Sequence, residues 1–171
     1  GEYTALCLSG YLDYKDALKV IAVRGEEMHK AVENSNTTMA AVLTGDLETT
    51  IEEIEKLNNQ GIQIWISNFN DPSQIVISSY IDDMNYLKSN PKALGAKRVI
   101  PLEVAGAFHT EIVSSAKKPL EDTLNSIDIS EGKIPVYMNV DAKKVEVSTL
   151  KESLVNQIDN SVLFNQQIEF V

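Results

Sequence analysis

The chain has 171 residues, 25 acidic and 15 basic, for a formal net charge of -10 at pH 7. That balance excludes the basic stripe with which nucleic-acid binders hold phosphate, and no apolar run approaches the roughly 18 residues of a membrane-spanning helix. One cysteine, Cys7, excludes an internal disulfide and suits a reducing, cytoplasmic setting; with only two histidines beside it, no ordinary zinc site is expected.

Gly1-Glu2-Tyr3-Thr4-Ala5-Leu6 reads as the back half of a Gly-X-Ser-X-Gly nucleophile elbow, with Gly1 its last glycine. On that reading the serine stands two residues ahead of Gly1, and the chain alone is expected to be inactive. Glu2 to Ser9 reads as a short helix. Asp13 caps a second helix running to about Glu33, with Asp16 as a weaker capping box. Its apolar face reads Ala17, Ile21, Met28 and Ala31, and the position that completes the series is Arg24.

From Met39 onward the pattern changes. Met39 to Leu43 reads as a strand and Asp46 to Asn59 as a helix ended by Gln60-Gly61. Ile62 to Ser67 alternates as a half-buried strand does, Asn68 to Ser73 is turn chemistry, and Ile75 to Ser78 is a strand. A helix over Tyr80 to Leu87 and a strand over Arg98 to Val104 complete a βαββαβ, or ferredoxin-like, order. Helices are then expected over Thr110–Ser126, Ser148–Asp159 and Ser161–Val171, with a strand over Pro135–Val140. The fold class is α/β, divided into a large-domain segment over 1–38, an inserted ferredoxin-like subdomain over 39–104 and a second large-domain segment over 105–171, cut at both ends.

Two residues stand out for chemistry. His109 follows a strand end on the small residues Ala105-Gly106-Ala107, where it serves either as an acid–base group or as a cap of the next helix. Arg24 lies on a buried face and needs an anion, either a protein carboxylate such as Asp13 or a substrate carboxylate held in a bidentate fork. The stretch Asn68 to Gln74 reads as a polar turn. His29 reads as solvated helix surface, and Cys7, among apolar neighbours, as packed and inert.

Six segments in order resemble the malonyl-CoA:acyl-carrier-protein transacylases and the related acyltransferase domains of polyketide synthases. They are Gly1 to Leu6, Arg24-Gly25-Glu26-Glu27-Met28, Ile66 to Asn70 with Gln74 to Ser78, Gly106-Ala107-Phe108-His109-Thr110, Pro135 to Val140, and Asn160 to Phe164. The resemblance implies an α/β-hydrolase-like large domain carrying a ferredoxin-like insertion. It implies that His109 is the general base, that Arg24 binds the malonyl carboxylate, and that Met28, Asn68, Asn70 and Gln74 line the acyl pocket. By the same resemblance, Phe108 would select malonyl over a 2-methyl analogue, and the backbone carbonyl near Leu163 would orient His109. Ser161 and Leu163 stand where the family often has Pro and Gln or Arg, and Ser79 where it often has Gly.

The implied partners are malonyl-CoA and acyl carrier protein, with no cofactor, metal, nucleic acid or membrane, and the expected state is a monomer. Lys97-Arg98 and Lys117-Lys118 are the candidate contacts for an acidic carrier. The alternatives are a trans-acting polyketide acyltransferase, a carrier-editing acyl hydrolase, which would have no use for a carboxylate clamp, and a non-catalytic carrier-protein-binding fragment.

Overall fold

The computed structural model describes residues 1–170. Helix α1 (Glu2–Leu8) leads into α2 (Tyr14–Val32). Asp13 starts α2 by accepting the Lys15 N–H at 2.8 Å, one of the first-turn amides that no helix carbonyl reaches. The return bond of a capping box does not form, because the Asp16 side chain is one methylene shorter than the glutamate that motif uses. The buried face of α2 is Ala17, Val20, Met28 and Val32. Ile21, expected inside, is 43% exposed, because the face is rotated by one residue and Val20 fills the core position.

Strands β1 (Thr37–Thr44), β2 (Ile64–Asp71), β3 (Gln74–Tyr80) and β4 (Ala96–Pro101) form one sheet in the order β2-β3-β1-β4, every neighbouring pair antiparallel. Helix α3 (Leu47–Asn59) links β1 to β2, and α4 (Ile81–Ser89) with a 3₁₀ turn (Pro91–Leu94) links β3 to β4. The βαββαβ order is therefore present. Ile54 and Leu57 of α3 and Met84 and Leu87 of α4 pack on Ala40, Val42, Ile64, Ile75, Ile77 and Val99 of the sheet.

The expected turn over Asn68–Ser73 is instead mostly strand. Register shifts between Ile66 and Asn68 and between Phe69 and Asp71 let β2 absorb its polar residues as bulges, leaving the reversal to Pro72-Ser73. Past Pro101 the chain leaves the sheet earlier than the expected strand end at Val104. The helix expected over Thr110–Ser126 divides into a 3₁₀ segment (Glu111–Ala116) and α5 (Lys117–Asn125). Pro119 explains the division: it has no N–H to bond the preceding turn, so the α-helix restarts with proline in its first turn.

Helices α6 (Leu150–Asn156) and α7 (Phe164–Glu169) complete the chain. No strand forms over Pro135–Val140. The segment makes only an isolated bridge between Tyr137 and Lys144, because the chain already turns at Asn139-Val140 and comes back through Ala142 (φ 57°) before a ladder can grow. Its alternation is nonetheless real, since Val136 and Met138 are both buried in a second apolar cluster. That cluster joins α1, α2, α5 and α6 through Leu6, Val20, Leu120, Leu124, Leu150, Leu154 and Ile158.

Candidate active site

The loop carrying His109 is clamped between the end of α2 and the start of β1. Ala107 N–H donates to Thr37 Oγ1 at the start of β1 (3.0 Å), and Thr110 Oγ1 donates back to the Ala107 carbonyl (2.9 Å). Gly106 lies so close to Val32 at the end of α2 that an added Cβ would stand 2.5 Å from the valine Cβ. His109 has φ 59°, a left-handed conformation that a non-glycine residue holds only where its surroundings impose it. Its Nδ1 lies 3.1 Å from the backbone carbonyl of Gln157 and 3.2 Å from the Gln157 side-chain Nε2. Burial pushes the imidazole pKa down to about 4, with the Arg24 charge adding to the fall and the Gln157 carbonyl opposing it. The ring is therefore neutral at pH 7.

Arg24 reaches the same place from α2. Its Nη2 donates to Gln157 Oε1 at 2.7 Å, while its Nε is buried without a partner. Among the described residues no carboxylate lies within 4.0 Å of the guanidinium. Glu2 is near enough to feel it, but its Oε1 is committed to the Asn139 N–H (2.7 Å) and its Oε2 is buried and unpaired. Burial raises the Glu2 pKa, and the Asn139 bond and the Arg24 charge oppose that rise. The Tyr3 hydroxyl, also buried and unpaired, has its pKa raised by the same desolvation.

These groups converge on a cleft of about 560 Å³, within the range of small-molecule sites. Arg24, His109, Asn68 and Asn70 line it, together with Gly1, Glu2, Tyr3, Asn139 and Gln157. No serine or cysteine is among its lining residues. Asn68 is brought in by the β2 bulge and by a parallel bridge to Val162, where Phe69 N–H donates to the Val162 carbonyl (2.8 Å). Ser161 secures this junction by donating its hydroxyl to the Ile66 carbonyl, and Ser79 donates to Gln63 O (2.6 Å).

Three expected pocket residues do not line the cleft. Met28 is buried in the second cluster, Phe108 packs against that cluster, and Gln74 begins β3 at the hairpin opposite Asp71. His29 is exposed, as expected. Leu163 does not orient His109. Its carbonyl is taken up by the Gln167 N–H (3.1 Å) at the start of α7, whereas Gln157 lies at the C-terminal end of α6, where helix carbonyls lack in-helix donors. Gln157 was legible by the signal that singled out Arg24: it shares a buried helical stripe with Leu150 and Leu154, so a polar group sits where core is expected. Glu2 carries the same mark on α1, beside buried Tyr3 and Leu6.

The family model described as "Acyl transferase domain" matches residues 1–171. A malonyl CoA-acyl carrier protein transacylase of Bacillus subtilis (strain 168) is 38% identical over 169 residues, 98% of this chain and 53% of that protein. One of Staphylococcus aureus (strain MRSA252) is 32% identical, over 100% of this chain and 56% of that protein. This chain thus spans about half the length of these curated relatives. Among solved structures, a malonyl-transacylase in complex with a type II PKS acyl-carrier protein aligns with a TM-score of 0.89 at 31% identity, covering 99% of this chain and 55% of that one. The MCAT from Streptococcus pneumoniae aligns at 0.88 and 33%, with 99% and 55% covered.

Proposed function

This chain belongs to the acyl transferase domain family, and from that premise we propose that the protein containing it moves a malonyl group from malonyl-CoA to the phosphopantetheine thiol of an acyl carrier protein. The observation that carries this reading is the pairing, in one cleft, of a neutral imidazole and a guanidinium that has no carboxylate partner among the described residues. A half-buried cation with no anion beside it leaves part of its desolvation uncompensated, and a substrate carboxylate offsets that cost.

In the proposed reaction, the serine that the resembling motif places two residues ahead of Gly1 attacks the thioester carbonyl. His109 Nε2 accepts the serine proton and returns it to the departing CoA thiolate, leaving a malonyl-serine ester. The carrier thiol then gives its proton to His109 and attacks the ester, and the serine leaves with that proton. Arg24 grips the malonyl carboxylate in both half-reactions. Its charge is one cause of the low His109 pKa. A bound carboxylate cancels that charge, so the base strengthens when substrate arrives. The three-segment division at 38/39 and 104/105 is proposed with this function, supported by the two separate apolar clusters. A cytoplasmic location is part of the proposal: among the described residues no helix is long and apolar enough to cross a membrane, and Cys7 is a free thiol.

The test is acyl transfer to a holo carrier protein from malonyl-CoA and from acetyl-CoA, by the wild type and by Arg24→Met. Loss of one or two charged hydrogen bonds, each about 1.5–3 kcal/mol, predicts a fall of roughly 10- to 10,000-fold in kcat/KM for malonyl-CoA only. An unchanged preference in the variant rejects the proposal, and carrier binding without transfer favours a non-catalytic binding module.

A further inference from the structure

Gln157 presents two atoms to one nitrogen of His109, and their demands conflict. The guanidinium of Arg24 can only donate, so the amide atom 2.7 Å from Nη2 is the oxygen. The atom 3.2 Å from His109 Nδ1 is therefore the NH₂ group, and it needs a lone pair on Nδ1. The backbone carbonyl of the same residue, 3.1 Å from the same Nδ1, needs a proton there. A neutral imidazole satisfies one or the other. Its choice decides the chemistry. With the proton on Nδ1, Nε2 carries the lone pair and can act as a base. With Nδ1 bare, Nε2 already holds the proton and cannot.

We infer that Gln157 is a positioning residue that couples occupancy of Arg24 to the tautomer of His109. With the cleft empty, Arg24 holds the amide against Nδ1 and favours the idle tautomer. A substrate carboxylate takes Nη2 and frees the amide. The backbone carbonyl, fixed at the end of α6, then receives the Nδ1 proton, and Nε2 is armed. The inference rests on the proposal that Arg24 receives the malonyl carboxylate. It adds that an acyl group without a carboxylate is disfavoured in kcat as well as in KM, because it leaves the base unarmed.

The test is ¹⁵N NMR at neutral pH on the protein carrying this chain, with labelled histidine and arginine side chains and the His109 signals assigned by their loss in His109→Gln. The probes are malonate and, as control, acetate. The free protein should show the Nε2–H tautomer, malonate should convert it to Nδ1–H while shifting the Arg24 signals, and acetate should do neither. Gln157→Met keeps the carbonyl and the side-chain length but loses the amide, so it should show Nδ1–H with or without malonate. If that variant fails to fold, Arg24→Met leaves the amide without its holder and should show Nδ1–H in the free state. An Nδ1–H tautomer in the free wild type overturns the inference. So does malonate that shifts Arg24 and leaves the tautomer unchanged. Malonate that leaves the Arg24 signals unmoved removes the functional reading itself, and the inference with it.

Discussion

Arg24 is expected to cost the protein stability while giving it specificity. Among the described residues its Nε is buried and unpaired, and its charge has no carboxylate in contact. Arg24→Met should therefore raise the stability of the empty protein by about 1–3 kcal/mol, the cost of an unsatisfied buried polar group; a lower urea midpoint in the variant contradicts this. His109 makes a pH prediction. Its folded pKa of about 4 lies below the ordinary value of 6.5. Between those values the unfolded chain binds a proton that the folded chain refuses, so this contribution is full above about pH 6.5 and is lost as pH falls toward 4. The loss is at most about 3 kcal/mol. Denaturation of wild type and His109→Gln at pH 7.5 and pH 4.5 should show the larger loss in the wild type, and parallel losses refute it. The sequence disclosed Arg24 because a charge interrupts an apolar stripe. It did not disclose which atom orients His109, because a backbone carbonyl carries no side-chain signature and depends on where α6 ends.

At the scale of elements, the loop carrying His109 is placed by contact with α2 rather than by a strand running into it. Gly106 has no room for a Cβ against Val32. Gly106→Ala should cost about 1–3 kcal/mol by overpacking and lower transfer activity by moving His109. Combining it with Val32→Gly, which removes the Cβ that the new methyl would strike, should recover part of both losses, a non-additivity readable in a double-mutant cycle; strictly additive effects place the loop's anchor elsewhere. The helices were legible from their periodicity and caps, and α3 follows its sequence pattern almost to the residue. The misread elements are those in which tertiary contacts override local signals. Asn68 to Asp71 look like turn residues but are held in β2 by bulges and by the bridge to Val162. Pro135 to Val140 alternate like a strand because one side lies on a core, yet they have no ladder partner.

For the whole molecule, the β2-β3-β1-β4 order follows from a βαββαβ pattern of strands and helices, while the cleft that α1, α2 and β2 line together was not readable. Charge is distributed against one expected docking patch. Lys118 is paired with Glu121 and Asp122, and Lys117 with Asp159, which leaves Lys97 and Arg98 exposed and outside any ion pair among the described residues. Changing both to glutamate should raise KM for the carrier protein with a steep salt dependence while leaving loading from malonyl-CoA unaltered; an unchanged KM excludes this edge. The central claim is that Arg24 and His109 serve one malonyl transfer, and intact mass spectrometry tests it most directly. The protein carrying this chain is weighed before and after malonyl-CoA, beside its Arg24→Met variant. One added malonyl group is expected in the wild type, removed by holo carrier protein, with little or none in the variant. No adduct in the wild type, or equal adducts in both, would contradict it.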